Sequence, residues 1–119
     1  MSAETASVSV PGLELRTSTQ GDVVVVACSG KLVYENASHL KSHVKELIPR
    51  EKRIVLELIE ITRMDSAGLG TLVALYISAK NANCEIYLAN LSKPVRDLLG
   101  LSNLLSVFEA CGRYGTRLT

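Results

Sequence analysis

The stretch that decides the fold is residues 53–81, RIVLELIEITRMDSAGLGTLVALYISAKN. Residues 53–61 are almost continuously apolar or β-branched, as in a strand covered on both faces. After a short segment, 62–66, the period changes. Leu69, Leu72, Val73, Tyr76 and Ile77 recur at spacings of one, three and four and predict the core stripe of an amphipathic helix that begins immediately after Ser66. A buried strand feeding directly into a helix is the repeating element of α/β proteins, in which helices cross between mostly parallel strands.

The flanking sequence extends this order in both directions. Upstream, Ala37, Leu40, Val44, Leu47 and Ile48 predict a first amphipathic helix, with Asn36 as its N-cap and Pro49 as its stop. Before it, residues 13–18 alternate apolar and polar, Gln20-Gly21-Asp22 has turn chemistry, and 23–29 is rich in valine, so the two runs predict a β-hairpin. Residues 1–11 are small and polar, end in Pro11-Gly12, and read as a flexible tail. Downstream, 84–91 reads as a strand. Ser92 can cap a short helix that has Pro94 in its first turn and ends at Gly100, and 101–105 and 107–110 read as a last turn and a short final strand. The fold class predicted is α/β: one domain over residues 12–112, with a mixed, mostly parallel sheet, an N-terminal hairpin, crossover helices and a tail at 113–119.

Composition narrows the function. A chain of 119 residues supports one ordinary domain. Thirteen basic and twelve acidic residues give a net charge of +1, too weak a field to favour nucleic acid or an anionic membrane, and with no Trp and one Phe there is no aromatic platform for bases. Cys28, Cys84 and Cys111 lie far apart with no CxxC pair, which fits reduced thiols in a cytoplasmic protein. No apolar run approaches the ~18 residues of a membrane span, and the first residues lack the features of a signal peptide.

The chemistry concentrates at Asp65-Ser66-Ala67-Gly68-Leu69-Gly70. It places a hydroxyl at a helix N-terminus, where backbone N–H groups and the positive end of the helix dipole favour negative charge such as phosphate. Gly68 and Gly70 leave room for a partner to approach the backbone. The same residues would equally serve a plain structural purpose, with Ser66 or Asp65 as a cap and the glycines for packing on the sheet. Gly68, Thr71, Leu75 and Ser78 share a weakly apolar strip beside the predicted core stripe. That strip is either a partner surface or the edge of a wide core face.

From Leu13 to Ala110 the chain resembles the STAS domain of bacterial anti-sigma factor antagonists. The matching features are Ser29-Gly30-Lys31-Leu32, then IVLELIEITRMDSAGLG with its DSAGLG phosphorylation loop, and LSKPVRDLLGLSNLLSVF at 91–108. The resemblance implies a partner-switching protein without catalysis or cofactor of its own. Its unmodified form would bind an anti-sigma factor or GHKL-type serine kinase and so release a sigma factor. Phosphorylation would inactivate it and a phosphatase would restore it. The family's phosphorylated position is Ser66, and with the helix strip added, the residues expected to face a partner are Asp65, Ser66, Ala67, Gly68, Leu69, Thr71, Leu75, Val33 and Glu35. Val33 stands where the family often has Asp, with Glu35 two residues on, and Ala67 stands where a second hydroxyl is common. The alternative role is a non-phosphorylated structural subunit of a lipid-transport ATPase or sensory complex.

Other constellations are weaker. His39 and His43 have the i, i+4 spacing of a metal pair, but two solvated histidines explain it as well. Ser66 lacks the GxSxG elbow of a hydrolase nucleophile, and Gly68-x-Gly70 lacks the third glycine of a dinucleotide fingerprint. A monomer is expected, because no long apolar helix is left over.

Overall fold

The computed structural model describes residues 5–104. Along them run β1 (Thr5–Val10), β2 (Leu13–Gln20), β3 (Val23–Leu32), α1 (Ala37–Leu47), β4 (Arg53–Met64), α2 (Ser66–Asn81), β5 (Glu85–Ala89) and α3 (Lys93–Leu101). The strands form one sheet in the order β1-β2-β3-β4-β5. Pairing is antiparallel from β1 to β3 and parallel from β3 to β5, so the single mixed α/β domain expected from sequence is present.

The N-terminal residues differ from expectation. Thr5–Val10 is not a tail but an edge strand, in unbroken register with β2 from Thr5↔Ser18 to Val10↔Leu13. Pro11-Gly12 is the two-residue turn between them, with Gly12 in the left-handed region at φ +82°, a conformation that glycine adopts without a Cβ clash. Proline and glycine therefore mark a turn inside the domain and not its boundary. With β1 added, antiparallel and parallel pairings are equal in number among the described residues, where a mostly parallel sheet is expected. The final strand at 107–110 and the tail at 113–119 lie outside the described residues.

The parallel half positions the DSAGLG segment. β4 runs to Met64, well beyond its last pairing with β5 at Glu57↔Ala89. The segment read as a connection, 62–66, is therefore strand up to Met64, and Asp65 alone separates strand from helix. All three helices pack on one face of the sheet, where Leu15, Val26, Ile54, Leu56, Leu58 and Leu88 meet Leu40 and Val44 of α1, Leu72 and Leu75 of α2, and Val95 and Leu99 of α3. On the opposite face Val55, Tyr87 and Ala89 form a smaller cluster with Val23 and Val25. β3 and β4 thus carry apolar side chains on both faces, as their continuous sequence indicates.

α1 buries the stripe predicted for it, Ala37, Leu40, Val44 and Leu47. α2 does not. Its buried residues are Gly68, Thr71, Leu72, Leu75 and Ala79, whereas Ile77 is 52% exposed. The helix is turned by about one residue from the predicted stripe. The cause is its composition: apolar residues surround the whole of SAGLGTLVALYISAKN, so periodicity gives no preferred face and packing decides. Among the described residues no helix is long and apolar enough to cross a membrane.

Candidate functional site

Asp65 is the hinge of the site. It sits in extended backbone as the N-cap of α2, and its Oδ1 accepts the Ala67 N–H at 3.0 Å and the Gly68 N–H at 3.1 Å. Two of the donors left open at a helix start are thereby satisfied by one carboxylate oxygen. The other oxygen, Oδ2, accepts the Tyr34 N–H at 3.0 Å, tying the turn between β3 and α1 to the start of α2. Partial burial works to raise the Asp65 pKa, but the backbone N–H groups of Gly68, Tyr34 and Ala67 outweigh it and hold the carboxyl below its ordinary value. The group is ionised at neutral pH.

Ser66 is the first residue of α2 and is exposed. Its side chain stands at the end of the long β4 beside an ionised carboxylate that has already taken the nearest helix N–H donors. Two of the donors expected to favour a phosphoryl group, the Ala67 and Gly68 N–H groups, are thus engaged by Asp65.

The two glycines of the motif have different tasks. A Cβ on Gly68 would lie 2.3 Å from the Leu32 carbonyl oxygen and 2.8 Å from Met64 Cγ. Gly68 is buried and allows α2 to touch the end of β3. A Cβ on Gly70 would meet nothing within 4 Å beyond its own stretch of helix, and the residue is exposed.

The remaining expected residues divide in the same way. Thr71 is 7% exposed and Leu75 is 0% exposed, so both pack into the core, as in the reading of this strip as the edge of a wide core face. Ala67 and Leu69 are half-buried against the core. Val33 is half-buried and Glu35 exposed, in a turn brought beside Asp65 by the Tyr34 bond. Asn36 holds that turn. Its Oδ1 accepts the Val33 N–H at 3.0 Å and its Nδ2 donates to the Pro11 carbonyl at 3.3 Å, so the residue expected to cap α1 instead braces the loop against the β1–β2 turn.

Sequence reasoning missed Tyr34. It is 78% exposed, directly beside Asp65 through its own N–H, and the available signal was an isolated aromatic in a polar loop. The exposed or half-exposed line Ser66, Gly70, Val73, Ile77, at helical spacings of four, three and four, runs from the serine along the outer side of α2. His43, considered as a metal ligand, has its Nε2 2.7 Å from Thr17 Oγ1 and ties α1 to β2. Among the described residues no group of three or more His, Cys, Asp or Glu side chains is placed to hold a metal ion.

An exposed serine set between a long central strand and a helix, beside an ionised cap and an aromatic turn, marks the C-terminal end of the parallel strands in this α/β domain. The chain belongs to the STAS domain family, whose pattern it matches over residues 14–117. It is 28% identical over 97 residues to an anti-sigma F factor antagonist of Paenibacillus polymyxa, covering 80% of this chain and 83% of that one. The crystal structure of an anti-sigma factor antagonist from Mycobacterium paratuberculosis superposes with a TM-score of 0.70 at 21% identity, over 85% of this chain and 87% of the other. The phosphorylated form of the Bacillus cell fate determinant SpoIIAA superposes with a TM-score of 0.62 at 17% identity, over 88% and 87% of the two chains. The protein is thus an antagonist-like STAS domain.

Proposed function

We propose that this protein is a cytoplasmic anti-sigma factor antagonist whose docking to an anti-sigma factor or GHKL-type serine kinase is blocked by phosphorylation of Ser66 and restored by a phosphatase. The observation that carries the reading is the Asp65 carboxylate, bonded to the Ala67 and Gly68 N–H groups immediately beside an exposed serine. A phosphoserine brings about −1.5 to −2 charges at neutral pH. The helix start would ordinarily offset ~0.3–1 kcal/mol of that charge, but here its donors serve Asp65. The dianion would stand against a like charge, and burying it under a partner without a counter-charge costs several kcal/mol. Since ~1.4 kcal/mol is tenfold in affinity, the charge alone ends binding, with no change of fold. The relatedness to a named antagonist and the fold shared with a phosphorylated antagonist support the same role.

The docking surface on this reading is Tyr34, Ser66, Gly70, Val73 and Ile77, with Tyr34 as its aromatic anchor. The test is calorimetric titration of the purified host anti-sigma kinase with four forms of the chain. Wild type and Ser66→Ala bind alike. Ser66→Asp loses about a hundredfold or more, the effect of a buried unpaired charge, and Tyr34→Ala loses about tenfold or more while melting as wild type does. A Ser66→Asp protein that binds as tightly as wild type refutes the blockage.

A further inference from the structure

The outer edge of β1 has the properties of a strand built to pair with itself. Sheet order places β1 at the margin, with β2 on one side only. Its backbone polarity follows from the two turns nearby. Pro11-Gly12 makes Val10 and Leu13 the hydrogen-bonded pair that closes the first hairpin, and alternation then makes Val8↔Leu15 and Ala6↔Thr17 bonded pairs as well. The second hairpin agrees: the Lys31 N–H donates to the Gly12 carbonyl at 2.7 Å, so even-numbered positions of β2 face β3 and odd-numbered ones face β1. The N–H and C=O groups of Thr5, Ser7 and Ser9 therefore point away from the sheet.

Soluble proteins usually protect such an edge with charge, proline, a bulge or a covering element. Among the described residues, TASVSV has no charged side chain, proline or bulge, and its register with β2 is regular throughout. The edge is also self-complementary. A two-fold axis through Ser7 sets Ser7 against Ser7 of a second copy and Thr5 against its Ser9, each pair exchanging two backbone hydrogen bonds. Ser7 and Ser9 lie on one face, where the Ser7 hydroxyl donates to Glu14 Oε2 at 2.9 Å within its own sheet, and no charged side chain stands on β1 itself. On the other face Ala6 meets Val8, covering a side chain that is 37% exposed, large for an apolar residue.

We infer that two copies of this chain associate through antiparallel β1–β1 pairing about Ser7, extending the two five-stranded sheets into one. The expectation of a monomer rests on the absence of an unpaired apolar helix, and it does not bear on a backbone-mediated interface. The contact is short, far below the ~1,200 Å² of a standard interface, so the dimer is weak and concentration-dependent. It is independent of the role proposed for Ser66, because β1 carries none of that docking surface.

Sedimentation equilibrium of the full chain between about 10 µM and about 1 mM, a range set to bracket weak association, tests this. The weight-average mass is expected to climb from 12.8 kDa towards twice that value. Ser7→Pro removes an outward donor and leaves the β2 ladder intact, as proline does on an edge strand, and is expected to stay monomeric with unchanged circular dichroism. In a Cys111→Ser background, Ser7→Cys is expected to form a disulfide-linked dimer on mild oxidation, because directly opposed bonded positions lie ~5.5 Å apart between Cα atoms, within disulfide reach. Lys45→Cys, exposed on α1, is the control. A wild-type chain that remains monomeric at the highest concentration overturns the inference. So does a folded Ser7→Pro variant that dimerises like wild type, or cross-linking through position 7 no faster than through position 45. If Ser7→Pro fails to fold, the cross-linking result decides.

Discussion

The sharpest stability prediction contrasts the same substitution at two glycines one half-turn apart in α2. Glycine in a helix interior costs about 0.5–1 kcal/mol relative to alanine, so Gly70→Ala, with nothing beyond its own stretch of helix within 4 Å of the new Cβ, should gain that amount. At Gly68 the new Cβ would lie 2.3 Å from the Leu32 carbonyl oxygen, 2.8 Å from Met64 Cγ and 3.1 Å from Leu32 Cγ. Met64 and the Leu32 side chain can turn aside, but the carbonyl is part of the β3 backbone. Relief then requires the first turn of α2 to move away from β3. That movement would lengthen the Asp65 N–H bond to the same Leu32 carbonyl, already 3.4 Å, and pull on the Asp65–Tyr34 clamp. Overpacking of this kind costs about 1–3 kcal/mol, which exceeds the helix gain, so Gly68→Ala should lose about 1–2 kcal/mol net. With a urea m-value of about 1–3 kcal/mol/M for a domain of this size, the midpoint should fall by roughly 0.5–1 M for Gly68→Ala and rise for Gly70→Ala. Urea unfolding followed by far-UV circular dichroism measures both. A Gly68→Ala protein as stable as wild type, or a shift of the same sign in both variants, refutes the close-contact account.

Two further predictions test the orientation and ties of the helices. Leu75→Ala should cost about 2–5 kcal/mol, as for a buried leucine, and Ile77→Ala, at a position 52% exposed, less than about 1 kcal/mol. The reverse order in urea unfolding would restore the helix face predicted from sequence. At His43, burial first and then the neighbouring His39 hold the imidazole below its ordinary pKa, with Glu46 opposing. The unfolded chain then takes up the proton first, near pH 6.5, so stability is full above that pH and declines as the pH falls towards the folded value. His43→Gln should flatten the decline between about pH 7 and pH 5. An unchanged slope would assign it to another group.

How far the sequence is legible depends on how many physical signals agree at each place. The stripe of α1 is readable because polar residues fill its other face. β3 and β4 are readable because strands with apolar residues on both faces form continuous runs. α2 resists because it has no polar face, and its true stripe includes Gly68 and Thr71, which no hydrophobicity pattern selects. β1 resists because TASVSV is small and half hydroxylic, and an edge strand exposed to water needs little hydrophobic signal. The DSAGLG loop is legible as a motif, but its division of labour is not. That Asp65 caps, Gly68 packs and Ser66 faces water depends on Leu32 and Tyr34, which approach from β3 and the following turn.

Position 33 shows how the pieces of the proposed switch fit together. The resemblance places an aspartate there in many relatives, and this chain has valine. The turn that carries it does not depend on a carboxylate at that position: Asn36 holds the Val33 N–H, and Asp65 holds the Tyr34 N–H. Both bonds to the turn are made to backbone donors, so changing the side chain at 33 leaves the geometry in place and alters only the surface. On the proposed reading, valine beside an exposed tyrosine, with Val73 and Ile77 on the adjoining helix, makes that surface more apolar than one bearing a second acid. Affinity then rests mainly on apolar burial, which salt hardly screens, and the electrostatic switch acts where a phosphoryl group on Ser66 would face the ionised Asp65. A carboxylate at 33 would add a constant negative charge near the same point. Its absence leaves the acids of this region to Asp65 and the exposed Glu35, and phosphorylation of Ser66 would add its charge beside them.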